Sequence, residues 1–245
     1  MKGIDHMYIS LAWGFLIMSP IIVTYPIYFV AFIVGIGIGA ILPDVDGSIS
    51  PYEYKSDAMR TFGIATKKAY KTTAWVFKSV KPNYNRELHT HRGILHSFPG
   101  ALLCISIVII PINLIIYFLG LWDLPILVAS GGIYVGAFFH LFEDCCTWTG
   151  VRLFAPYKNV RLYGEINTCS SRREENRPQM YGKIFALLGV GCVCFFALHN
   201  LPIFASVAFI YDLSPFVLII ITTVISFFLW YIIFLYSGGK IETNS

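Results

Sequence analysis

Five stretches of this chain contain no Asp, Glu, Lys or Arg: residues 6–43, 93–122, 124–142, 184–211 and 213–239. Roughly 20 apolar residues in helical form cross the hydrocarbon core of a bilayer. Inside that core a backbone has to satisfy its own hydrogen bonds, so runs of this length are expected to be membrane-spanning helices. Hydrophobic residues make up 56% of the 245 and charged residues 13%, an apolar share beyond that of a soluble domain. The first stretch is too long for one crossing and holds Tyr25-Pro26 in its middle, where proline breaks a helix and suits a reversal. The expectation is an all-α polytopic membrane bundle, a single domain over 1–245, with about six spans near 7–24, 27–42, 98–119, 124–145, 181–199 and 214–236. Two polar insertions interrupt it, at 47–90 and 146–180.

Orientation follows from the basic residues. All 18 Lys and Arg fall in the amino terminus, the two insertions, the carboxyl tail or the helix ends beside them, and the connections at 25–26, 120–123 and 200–213 hold none. Lys and Arg in short flanking segments favour the cytoplasmic side, which predicts a multi-pass cell-membrane protein with both termini in the cytoplasm. Asp5 close behind Lys2 argues against a cleaved signal peptide. A net charge of +4 gives no ground for bulk nucleic-acid binding. Six cysteines without Cys-x-x-Cys spacing read as reduced, packing thiols.

In the first insertion Met59, Phe62, Thr66, Ala69, Tyr70, Thr73, Val76, Phe77 and Val80 recur at helical spacing, with Lys67, Lys68, Lys71, Lys78 and Lys81 between them. Two readings stand side by side: an amphipathic helix on the membrane with Trp75 among the headgroups, or a helix packed over the bundle with a solvated basic face. In the second insertion Arg172, Arg173 and Arg177 belong to a solvated turn or a capped short helix, or else grip an anionic substrate.

The residues with chemistry are dispersed in four groups: His6; Asp44-Val45-Asp46; residues 91–97, HRGILHS; and His140 with Asp144. Topology carries all of them to one end of the bundle, because the first and third spans start there and the second and fourth finish there. An ionisable group near the hydrocarbon costs roughly 2.5–3.5 kcal/mol even on insertion scales, so pairing or a metal has to offset it. His140 and Asp144, four apart, share one helix face. Imidazole nitrogen with carboxylate oxygen suits zinc, iron or manganese, and the number of donors favours two or more ions. Ordinary hydrogen-bonded histidines and helix-exit carboxylates are the plain alternative. His199 reads as an interfacial residue, and His89 stays open between ligand and loop residue.

These segments resemble a known family. Residues 39–46 (GAILPDVD), 91–97 and 140–144 (HLFED), followed by Thr147, Gly150 and Pro156, look like the YdjM-type family of LexA-binding, inner-membrane-associated metal-dependent hydrolases. That family is similar to the zinc-dependent phospholipase C and nuclease P1 group, all-helical enzymes that hydrolyse phosphoesters. The resemblance implies metal binding by His6, Asp44, Asp46, His91, His96, His140 and Asp144, and, by family name alone, a LexA-like protein partner. The lysine-rich insertion after Asp46 departs from the compact pattern.

The expected activity is a metal-dependent phosphoesterase acting on a lipid-linked or other phosphate ester at the cytoplasmic membrane face. Arg92 and Arg152 are candidates to neutralise phosphate oxygens or, equally, to anchor in lipid phosphate. Asp46 or Glu143 are candidates to handle a proton. The rivals are a metal-stabilised scaffold or regulator and a divalent-metal transporter, the latter disfavoured because the middle of each span lacks acidic residues. No His-Glu-x-x-His and no Gly-x-Ser-x-Gly is present, which argues against an intramembrane metalloprotease or a serine hydrolase. Ser130-Gly131-Gly132 reads as small residues for close helix packing.

Overall fold

The computed structural model describes residues 3–46, 57–80, 93–158, 160–167, 175–198, 201 and 210–243. Among the described residues there are seven α-helices: α1 (Gly3–Met18), α2 (Pro26–Gly39), α3 (Asp57–Val80), α4 (Phe98–Phe118), α5 (Leu124–Asp144), α6 (Arg177–Ala197) and α7 (Pro215–Tyr236). The segments Pro26–Asp44, Phe98–Phe118, Leu124–Asp144, Arg177–Ala197 and Pro215–Tyr236 are long and apolar enough to cross a membrane. The remaining expected span is shorter than its charge-free run. Helix α1 has 16 residues and passes at Ser19–Ile21 into a 3-10 turn that contains Pro20. Helix and turn together rise about 30 Å, the thickness of a hydrocarbon core. The reversal then occupies the residues up to Tyr25, and Pro26 sits in the first turn of α2, where its missing N–H is not needed.

Helix α1 is central. Ile9, Ala12, Trp13, Leu16 and Ile17 are buried along it, packed against α6, α2, α7 and α5. The tightest pair is α2 with α5, and its cause is a set of four glycines. An added methyl at Gly35 or Gly39 would strike the carbonyl oxygens of Ala129 and Ile133, and one at Gly132 or Gly136 those of Phe32 and Ile36. Each Gly-x-x-x-Gly pair therefore opens one helix to the other's backbone, the device by which helices associate where lipid offers no hydrophobic drive.

One feature was not expected. The second insertion contributes strand β1 (Val160–Tyr163), which pairs antiparallel with β2 (Lys240–Thr243), so that Val160 faces Thr243 and Tyr163 faces Lys240. Gly238, at φ +69°, turns the chain out of α7 into this ribbon. The insertion is thus held to the carboxyl tail, while Arg172 and Arg173 of the expected turn lie outside the described residues. Helix α3 forms as the spacing predicts, with Ala69, Thr73 and Phe77 buried on one side.

The glycine contact yields a paired test. Gly39→Ala and Gly136→Ala should each destabilise the purified protein by about 1–3 kcal/mol through overpacking, seen as a lower thermal midpoint in detergent. Gly131→Ala, whose added carbon meets nothing within 4 Å, should leave stability unchanged or raise it by about 0.5–1 kcal/mol.

Candidate metal centre

Four short pieces of chain converge at one end of the α2–α5 pair. His6 comes from the first turns of α1, Asp44 from the 3-10 turn Leu42–Asp46 after α2, His96 from the 3-10 turn Ile94–His96 ahead of α4, and His140, Glu143 and Asp144 from the end of α5. Local sequence fixes each. Ser97 ends the second turn: its hydroxyl donates to the Ile94 carbonyl at 2.8 Å and accepts from Gly100 N at 3.1 Å, capping α4. Phe98 N donates to the Leu153 carbonyl at 2.9 Å, which ties the second insertion to this turn. Helix α5 stops after Asp144, whose carbonyl accepts from the Thr147 hydroxyl at 2.7 Å. Gly150, at φ +58°, then turns the chain against Leu162 and Tyr163, where a side chain would collide.

His140 is the clearest member. Its Nδ1 lies 2.7 Å from the Ala40 carbonyl. A carbonyl only accepts, so Nδ1 carries the proton and the neutral ring turns the Nε2 lone pair to the other side. There it meets Asp44 Oδ1 at 3.4 Å and Asp144 Oδ2 at 3.7 Å. Nε2 is buried and has no hydrogen-bond partner among the described residues. His96 Nε2 completes the ring of contacts, 3.7 Å from the same Asp44 oxygen and 3.5 Å from the same Asp144 oxygen.

These separations are too long for hydrogen bonds, which cluster near 2.7–3.2 Å. They match the edges of a coordination polyhedron: donors bound at roughly 2.1 Å to a tetrahedral ion stand about 3.4 Å apart. A lone pair aimed at two carboxylate oxygens is repulsive unless a cation lies between them. The donors therefore fit a divalent ion, and the donor chemistry is that of zinc, manganese or iron.

His6 stands beside this group, its ring stacked on His140 with centroids 3.8 Å apart. Its Nε2 is 3.4 Å from Asp144 Oδ1, and its Nδ1 is 2.6 Å from Glu143 Oε2. The other Glu143 oxygen accepts from the Ser10 hydroxyl at 2.9 Å. With Nδ1 donating to Glu143, the lone pair of His6 also faces the centre, the arrangement in which a carboxylate orients a ligating imidazole. Two donor groups result, His6–Asp44–His140 and His96–His140–Asp144, each with ligand atoms within 4.8 Å of one another.

His6, Asp44, His96, His140 and Asp144 are thus brought together. Glu143 lies one step back, behind His6. Asp46 closes the turn after α2, with its side chain outside the described residues, as are His89, His91, Arg92 and His199 in full. Arg152, partly buried, sits in the loop that follows α5. Cys146, next to the cluster in sequence, is a packing thiol, since burial pushes it up to about 12 and keeps it protonated. Sequence reasoning missed Ser10 and the Ala40 carbonyl. Ser10 left a signal, a hydroxyl one helical turn after His6 in an apolar helix; a backbone carbonyl leaves none.

A family model described as YdjM inner membrane protein matches residues 1–237. No curated protein and no solved structure matches the chain, and neither comparison brings out the phospholipase C and nuclease P1 group.

Removing His140 or Asp144 by substitution with alanine should lower the metal bound per protein, read by elemental analysis of the purified protein. Glu143→Gln should keep the stoichiometry and loosen affinity about 10–100-fold, as loss of an orienting partner does. Wild-type stoichiometry in both alanine variants contradicts the assignment.

Proposed function

We propose that this chain, which belongs to the YdjM inner membrane protein family, is a metal-dependent hydrolase of phosphate esters working at the cytoplasmic face of the membrane. The observation that carries the reading is the uneven exposure of the cluster. His6, His96, His140 and Asp144 are buried to within 1%, while the Asp44 side chain is 20% exposed. The donors therefore form a dry floor with one wet edge, and a substrate approaches over Asp44. A divalent ion held there would supply an activated water and charge stabilisation on a phosphoryl oxygen.

The chain's own residues divide the remaining work. Three imidazoles and two carboxylates bind. The Ala40 carbonyl and Glu143 hold two of the imidazoles in the ligating tautomer. Both Glu143 oxygens are engaged, by His6 and Ser10, so proton transfer falls to Asp46 in preference to Glu143. Arg92 and Arg152 neutralise phosphate oxygens. The positive-inside distribution of Lys and Arg supports a multi-pass topology with cytoplasmic termini. A cluster at the ends of apolar helices supports a lipid-linked ester as substrate.

One observation favours a second reading. His96, His140, Asp44 and Asp144 can by themselves fill four positions, which is how closed structural sites are built; the ion would then staple the bundle of a scaffold or regulator. A phospholipid and phosphoester hydrolysis screen on the purified protein, with and without chelator, separates the two. The hydrolase reading expects turnover that chelator abolishes and that Asp44→Ala lowers by at least about 100-fold, the scale of a lost catalytic group. Bound metal with no turnover across the panel favours the staple.

A further inference from the structure

The outward face of α3 has no part in the metal centre and has its own pattern. Ile64, Lys68, Lys71, Trp75 and Lys78 are all exposed. Their spacing of four, three, four and three puts them on one stripe of the helix. Trp75 is 68% exposed, an unusual exposure for so large a ring unless something other than water meets it.

The opposite face tells where this stripe points. Ala69 shares a buried cluster with Leu95, Cys104 and Val108. Phe77 shares another with Ile94, with Ala74 and Leu103 packed against it. Leu103 and Cys104 lie five and six residues beyond Phe98, about 8–9 Å along α4 from its first residue. Helix α3 therefore leans on the flank of an apolar helix, beside the turns Leu42–Asp46 and Ile94–His96. A stripe facing away from that flank looks sideways from the bundle.

We propose that the Lys68–Lys71–Trp75–Lys78 stripe of α3 is a docking surface for the anionic phospholipid headgroups of the protein's own bilayer. Three ammonium groups match phosphate in charge and reach. The indole between them suits the headgroup boundary, where an amphipathic ring has one apolar and one polar neighbour. An acidic soluble partner is the other chemistry that lysines attract. The sideways placement and the exposed Trp75 and Ile64 argue for lipid instead. The inference stands whether or not the metal centre is catalytic.

Bromine-quenching of Trp75 tests it. The full-length protein is reconstituted into vesicles of phosphatidylcholine and phosphatidylglycerol, with equal bromine carried either on the zwitterionic or on the anionic lipid. The Trp75 signal is the difference between wild type and Trp75→Phe. Quenching by the anionic bromolipid should exceed that by the zwitterionic one by about two-fold or more, as enrichment near a polybasic face requires. The excess should vanish in high salt and in the combined Lys68→Gln, Lys71→Gln and Lys78→Gln variant. Equal quenching by the two lipids overturns the proposal, as does an excess that survives both treatments. A Trp75 quenched by neither lipid also overturns it, and leaves the face to a soluble acidic protein.

Discussion

The backbone contact between α2 and α5 is the constraint from which the rest follows. Hydrocarbon surrounds these helices with atoms as apolar as their own side chains, so burial gives no reason for one to choose the other. Close approach does, because glycine lets main chain meet main chain along two turns. It also fixes the register. A slip of one turn, about 5.4 Å, would drive a side chain into a carbonyl and separate the Ala40 oxygen from His140. The buried imidazole donor and carbonyl would both be unpaired, at about 1–3 kcal/mol each. The register that satisfies them is the one that sets Asp44 beside His140 and Asp144.

With that register set, the site has an electrostatic problem that a cation would answer. Glu143, Asp44 and Asp144 are carboxylates in or against a desolvated volume, and every ion-pair partner described for them within the cluster is a histidine. Two of those rings have one nitrogen committed to an orienting acceptor, Ala40 or Glu143, and offer a lone pair at the other. The arrangement accumulates acceptors around a common centre. In the unfolded chain these side chains are far apart, so the free energy of binding an ion is also free energy of folding.

The bundle was legible because charge-free runs have few alternatives, and the gathering of His6, Asp44, His96, His140 and Asp144 was legible because spans alternate direction. The details that were not legible have local causes. Pro20 ends α1 early in a 3-10 turn, which a charge count passes over. The β1–β2 ribbon joins four-residue segments far apart in sequence, with no local pattern to reveal the pairing. Ser130-Gly131-Gly132 pointed to close packing, yet only Gly132 of its two glycines meets α2; the partner pair Gly35 and Gly39 completes the contact. Glu143 was recognised as chemically meaningful without its direction. Adjacent helix positions diverge by about 100°, so while Asp144 faces the centre, Glu143 faces α1 and meets His6 and Ser10.

The two donor groups share His140, and that limits how ions can be distributed. With Nδ1 held by Ala40, the ring has one lone pair to give, so the groups are not two complete and independent sites. A second ion would draw on His6 Nε2 and the remaining oxygen of Asp144. The carboxylate of Asp144 is disposed for that division: Oδ2 lies 3.5 Å from His96 and Oδ1 lies 3.4 Å from His6. A carboxylate that turns its two oxygens to different histidines offers a donor on each side. Stacked with centroids 3.8 Å apart, the His6 and His140 rings both present Nε2 to Asp144, His6 to Oδ1 and His140 to Oδ2. Glu143 and Ser10 fix His6 much as the Ala40 carbonyl fixes His140, so both rings turn a lone pair toward the same carboxylate, an arrangement that a cation would balance.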